Sequence, residues 1–292
     1  MKPRASVYTV VVHVVLALVT ASMVLPVVLL FMSSITADAT LVADGYSFFP
    51  RELSLDAYVY LFQNASTILR AYGITILVTA VGTALGLFLT STLAYALSLP
   101  ELPGRRVIGF LVFFTLLFNG GLVPAYIMWS ELGVRNTLLA YIVPTLLVNA
   151  FNVILMRTFY EVNIPREVYE AAKMDGAGYV RTYLKIVLPL GKPIMVTIGL
   201  FIGLMYWNDW MNGLYYVNDS NLFSIQTYLN KIIQDVQAVS SNSAGSTGST
   251  AQLPQVSIRM AVAFVALLPL LVIYPMLQKY FAKGIMLGAV KG

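Results

Sequence analysis

Between Tyr206 and Asn212 the chain sets an acid and two amides among aromatic rings: Tyr206, Trp207, Asn208, Asp209, Trp210 and Asn212. Aromatic faces stack on sugar rings, and amides exchange hydrogen bonds with hydroxyl groups, so this run has the chemistry to line a path for a polyhydroxylated solute. An acid in hydrocarbon is costly and has to face a polar cavity or pair with a polar group. Asp209 is the only acid in any of the apolar stretches described below. Two other readings fit the same residues, a helix-packing feature and an interfacial aromatic belt with one snorkelling acid.

Other chemistry is missing from the sequence. There are no cysteines, and the single histidine, His13, sits in an apolar run and is read as structural. Thiol catalysis, disulfides and Cys- or His-rich metal sites are thereby excluded. No Gly-x-x-x-x-Gly-Lys-Ser/Thr loop is present, since Gly191-Lys192-Pro193 lacks the upstream glycine and the hydroxyl residue. The chain cannot hydrolyse ATP alone, and energy for any pumping has to come from a partner.

Composition sets the class. Of 292 residues, 59% are hydrophobic and 11% charged, where a soluble domain carries about a quarter charged residues. Six stretches can cross ~30 Å of hydrocarbon, which takes about 20 helical residues. They are Val10 to Met32, Gly73 to Leu97, Val107 to Trp129, Thr137 to Met156, Ile194 to Val217 and Met260 to Leu277. This predicts an all-α polytopic membrane protein, one membrane domain over residues 1–292. The uncharged run from Ala5 to Ala37 is far longer than a signal-peptide core, so the first stretch is read as a retained helix. With the N-terminus inside, only Arg51, Arg70, Arg135, Lys231 and Arg259 of the 18 basic residues lie outside. That asymmetry predicts two cytoplasmic termini, outer segments at 33–70 and 218–258, and an inner loop at 157–192.

The inner loop is strongly patterned. Pro165 suits the start of a helix over Arg166 to Met174, with Asn163 available as a cap, and Asp175-Gly176 ends it. Tyr179 to Val187 reads as a second short helix, stopped by Pro189 and Pro193. Two helices around a glycine turn, with Ala171-Ala172 as a small-residue surface, make a protrusion that another protein can approach. An amphipathic loop lying on the membrane fits the same pattern.

Glu170-Ala171-Ala172, then three residues to Gly176, nine more to Ile186, and Leu188-Pro189 resembles the EAA signature of ABC-importer permeases, every signature position being matched at the family spacing. Phe49-Pro50 with Leu53 to Tyr58, Leu93 to Ser98, Trp207 to Trp210 and the tail Gly284 to Gly292 resemble the MalG-type carbohydrate permeases. Phe118-Asn119-Gly120-Gly121-Leu122-Val123-Pro124 is similar to a subgroup that handles complex oligosaccharides, alginate- and pectin-type ones included. Tyr72-Gly73-Ile74 departs from the Asn-Ser pair that relatives usually carry there.

The resemblance implies a type I importer permease fold with six transmembrane helices in a bacterial inner membrane. It implies that Glu170, Ala171, Ala172, Asp175, Gly176 and Ala177 form a turn that docks in a cleft of a cytoplasmic ATPase. It also implies that the tail Gly288, Ala289, Val290, Lys291 and Gly292 reaches between two ATPase subunits, which hold the ATP and Mg. This chain itself would bind no cofactor, catalyse no reaction and contact no nucleic acid. The remaining implied partners are a second, related permease chain, an extracytoplasmic solute-binding protein and an oligosaccharide substrate. An amino-acid or peptide permease is the nearest alternative, and the Trp-Asn box and closing tail argue against it. A secondary transporter would need several buried ionisable residues or paired repeats, and the sequence offers one acid and no clear repeat.

Overall fold

The computed structural model describes residues 7–144, 147–243 and 255–284. Among them every regular element is a helix, and the only strand-like feature is an isolated bridge between Thr36 and Leu53. A helix satisfies its backbone groups internally, which is what hydrocarbon demands of a chain so poor in charge. In chain order the helices begin with α1 (Val7–Ser34), α2 (Asp38–Asp44), α3 (Asp56–Gln63), α4 (Ala65–Ser98) and α5 (Arg105–Leu117). Next come α6 (Leu122–Glu131), α7 (Leu139–Ile142), α8 (Ala150–Asn163), α9 (Arg166–Met174) and α10 (Tyr179–Thr182). The last five are α11 (Leu188–Leu190), α12 (Lys192–Trp207), α13 (Met211–Tyr216), α14 (Ile225–Ser243) and α15 (Gln255–Gly284). A π-helical segment, Tyr183–Val187, joins α10 to α11.

Among the described residues, α1 and α4 are each long and apolar enough to cross a bilayer. Two bent pairs raise the number to four when each is taken as one span: α5 with α6, bent by 117°, and α10–α11 with α12, bent by 83°. The apolar window of α1 has 0% of its residues buried within the chain. A helix hydrophobic all round and uncovered by its own chain requires hydrocarbon or another subunit around it. His13 is exposed on it, its ring Nδ1 2.6 Å from the Thr9 carbonyl one turn back.

Three of the six apolar stretches are not single helices. Val107 to Trp129 breaks at Asn119-Gly120-Gly121, where Gly121 takes φ +89° and donates its N–H to Asn119 Oδ1 at 2.9 Å. Thr137 to Met156 divides into α7 and α8, with Pro144 following α7 and the Asn149 side chain capping α8. Ile194 to Val217 divides into α12 and α13. The first, second and sixth stretches lie within α1, α4 and α15.

The chain packs as two compact units, Met1–Ile68 with Leu229–Leu271, and Leu69–Tyr228 with Val272–Gly292. In the first, Asp38 Oδ1 accepts the N–H groups of Val256 (2.8 Å) and Ser257 (3.0 Å), capping the first turn of α15. Phe31 packs against Phe264 with ring centroids 5.0 Å apart. The second unit holds a core around Tyr141, Val153, Met156, Tyr160, Val187 and Ile198. There α4 and α12 approach closely through small residues, and a Cβ on Gly82 would come within 2.4 Å of the Tyr206 ring.

Candidate functional site

The residues expected to dock a partner gather at one turn. Glu167 lies in the first turn of α9 and Lys173 in its last, an order that suits the helix dipole. Asn163 does not cap this helix; its Nδ2 donates to the Phe159 carbonyl within α8 at 3.2 Å, and Pro165 takes the N-cap position. At the other end Asp175 is the C-cap and Gly176 follows with φ +72°. The Gly176 N–H returns to the Lys173 carbonyl (3.1 Å) and the Ala177 N–H to the Ala172 carbonyl (2.9 Å). This is a Schellman closure, which calls for the left-handed backbone that glycine adopts without strain. Ala172 is buried, Ala177 half-buried, and Glu170, Ala171, Asp175 and Gly176 are exposed. Beside them Met174 is 88% exposed and Val180 71%. A small-residue turn ringed by exposed apolar side chains is a surface suited to a protein partner.

Tyrosines brace this turn against the end of α4. Tyr95 donates its hydroxyl to the Tyr179 carbonyl at 3.2 Å, stacks on Tyr169 at 6.5 Å between centroids and leans on Tyr183 at 5.3 Å. Tyr183 and Ser91 share a hydroxyl–hydroxyl bond of 2.6 Å. Burial raises the Tyr169 hydroxyl above the ordinary phenol range. A cavity of about 510 Å³ lies among these rings, lined also by Arg166, Glu170 and Lys173. The second short helix does not stop at Pro189. The wider π turn before it accommodates a ring that lacks an N–H, and the chain bends at Gly191 instead. A Cβ on Gly191 would meet the Val187 carbonyl oxygen at 2.8 Å and the Tyr160 ring at 2.9 Å. The turn is thus in contact with α4 through the tyrosines and leads into α12 through a bend where a Cβ would not fit.

The aromatic box divides between two surroundings. Tyr206, Trp207 and Asn212 are buried. The Tyr206 hydroxyl donates to the Ile142 carbonyl at 2.8 Å, and Asn212 Nδ2 to the Pro144 carbonyl at 3.2 Å. Asn208 and Trp210 are exposed, Trp210 by 40%. Asp209 lies in the link between α12 and α13 rather than inside a helix, and its Oδ1 accepts the Asn212 N–H at 3.2 Å. Its Oδ2 and the Trp207 Nε1 are buried without hydrogen-bond partners among the described residues. The six residues are thus sequence neighbours that do not share one surface. The tail Gly288, Ala289, Val290, Lys291 and Gly292 lies outside the described residues.

Next to the box is a polar cluster that sequence reasoning missed. Ser224 Oγ and Thr227 Oγ1 are 2.8 Å apart, the Tyr141 hydroxyl is 3.2 Å from Thr227 Oγ1, and Thr75 Oγ1 accepts the Ile225 N–H at 2.9 Å. Ser224 also accepts the Thr227 N–H at 3.1 Å and so caps α14. A serine directly before the helical run from Ile225 was the available signal. Its partners on α4 and α7 are too distant in sequence to be read.

Two helices long and apolar enough to cross a bilayer, with two bent apolar pairs beside them, make this a helical membrane protein. No protein-family model matches the chain. It is 38% identical over 271 residues to the protein LplC of Bacillus subtilis (strain 168), covering 92% of this chain and 90% of LplC. It is 39% identical over 269 residues to the polygalacturonan/rhamnogalacturonan transport system permease protein YtcP of the same organism, covering 92% and 93%. Its structure matches a chain in the crystal structure of a bacterial ABC transporter involved in the import of the acidic polysaccharide alginate. That match has a TM-score of 0.79 and 29% identity over 96% of this chain and 100% of the other. The chain belongs to the family of sugar ABC-transporter permease subunits. Its members are membrane subunits rather than enzymes, and they work with ATPase and permease partners.

Proposed function

We propose that this chain is one half of a heterodimeric, ATP-driven importer that carries oligosaccharides rich in uronic acid across the bacterial inner membrane by alternating access. The exposed, Schellman-closed turn from Glu170 to Ala177, braced by Tyr95 and Tyr183, is the observation that carries this reading. Two cytoplasmic ATPase subunits receive that turn and its counterpart on the second permease chain. They bind the ATP and Mg, and this chain binds no cofactor and catalyses no reaction. A solute-binding protein delivers the sugar on the outer side. All six apolar stretches cross the membrane, the broken ones included, with both termini in the cytoplasm. Asn208, Asp209 and Trp210 face the path between the permease chains, while Tyr206, Trp207 and Asn212 hold the broken fifth span in shape.

The uronate class is supported by the names of two relatives, one for polygalacturonan and rhamnogalacturonan and one for alginate. The test is ATP-dependent uptake of radiolabelled trigalacturonate by the assembled transporter in proteoliposomes, with maltotriose as the neutral comparison. Faster uptake of the acidic sugar is expected. Preference for maltotriose would remove the uronate assignment, and failure of any ATPase to assemble with the chain would remove the importer.

A further inference from the structure

On the side of the docking turn, α5 packs against α8. An open cavity of about 700 Å³ lies there, lined by Leu102, Gly104, Arg105, Arg106, Gly109 and Arg157 among others. Its charge is out of balance. Arg105 and Arg157 both pair with the single carboxylate of Glu161, at 2.9 Å for Arg157. Arg106 is exposed and has no ion-pair partner among the described residues. Two of the three guanidiniums thus share one carboxylate and the third has none, at the positive end of α5. That helix has no acid in its first turn and no side-chain cap. Cations at a helix N-terminus oppose its dipole, and a bound anion relieves the conflict. Gly109 lies beside the Arg157 guanidinium, where even a Cβ would make only ordinary contact with Nη1, at 3.5 Å. From Val107 onward, α5 exposes Val107, Phe110, Leu111 and Phe114.

An excess of positive charge at the head of an exposed apolar helix matches an anionic phospholipid, headgroup on the arginines and acyl chains along α5. We propose that this groove binds an anionic phospholipid of the phosphatidylglycerol type in the cytoplasmic leaflet. The leaflet assignment rests on the orientation given under the proposed function. Native mass spectrometry of the assembled transporter, titrated with phosphatidylglycerol or phosphatidylcholine, tests it. The anionic lipid should bind more tightly, and Arg106→Gln should weaken it by about fivefold. Glu161→Gln removes only a negative charge and should strengthen binding by a similar factor, an opposite change that misfolding would not produce. Equal binding of the two lipids, or no change in either variant, would overturn the proposal. So would displacement of the lipid by millimolar inorganic phosphate, or efficient crosslinking of an Arg106→Cys variant to the second permease chain. Labelling of that cysteine by an impermeant maleimide only from outside, with lipid selectivity intact, would reverse the orientation and leave the binding site standing.

Discussion

Substitution of Gly176 isolates the backbone of the docking turn from everything else in the protein. A Cβ built on Gly176 meets no heavy atom within 4 Å, so a larger residue collides with nothing in this chain. The cost is therefore conformational, set by φ +72°. Left-handed backbone costs an ordinary L-residue about 1–2 kcal/mol, with β-branched residues the worst placed. Alanine at the lower figure reduces the equilibrium constant for closing the turn by about fivefold, and valine at the upper figure by about thirtyfold. Asparagine enters this region readily and should stay within about twofold of the native protein. The assay is oligosaccharide uptake into proteoliposomes, read together with ATP hydrolysis stimulated by the solute-binding protein. Uptake and ATPase association should fall in the order Gly, Asn, Ala, Val, while the amount inserted in the membrane stays constant. Native uptake by Gly176→Val would refute the assignment of the docking turn. An asparagine variant as damaged as the valine one would show that surface shape, and not the closure of the turn, is what the partner reads.

Tyr95→Phe keeps both ring contacts and deletes the 3.2 Å bond to the Tyr179 carbonyl, a loss of about 1 kcal/mol. Uptake should fall severalfold at unchanged expression, and normal uptake would mean that the tyrosines pack without transmitting. Asn208→Ala and Trp210→Ala should slow uptake with the ATPase still docked, whereas Tyr206→Phe, which loses its bond to the Ile142 carbonyl, should lower the yield of folded protein; the reverse pattern would exchange the two roles. A reporter fused after Lys291 should be cytoplasmic and one at Gly245 extracytoplasmic, and a cytoplasmic signal at Gly245 would change the number of spans. Deleting Gly288 to Gly292 should reduce transport-coupled ATP hydrolysis without reducing expression, and unchanged hydrolysis in the full complex would leave the tail without a role.

What could be read from the sequence follows from how local each signal is. The docking turn is local, because a glycine after a short amphipathic helix is enough to predict a left-handed closure, and the structure places one at Gly176. The long helices α1 and α4 are equally local, being uninterrupted apolar runs. Hydrophobicity measures the cost of leaving water and says little of the path the backbone takes, so the broken spans were smoothed over. Their markers were present as Asn119-Gly120-Gly121, Pro144 and Asn149, each outvoted by apolar neighbours. The burial of Tyr206 was beyond local reading altogether. It depends on Gly82, more than a hundred residues earlier, leaving space for the ring.

The two breaks nearest the aromatic box also support each other. A break inside an apolar stretch leaves backbone groups without helical partners where water is scarce, at a cost of several kcal/mol each if nothing replaces them. The carbonyls of Ile142 and Pro144, where α7 ends, receive the Tyr206 hydroxyl and the Asn212 amide. In return Asp209 takes the Asn212 N–H as α13 begins. Breaking the fourth stretch without the fifth would strand two acceptors, and breaking the fifth without the fourth would bury a phenol and an amide with nowhere to donate. The polar residues that look at first like a sugar-binding row are therefore partly committed to this exchange. The residues outside this exchange are Asn208 and Trp210, both exposed, which flank Asp209 on the link between the two helices.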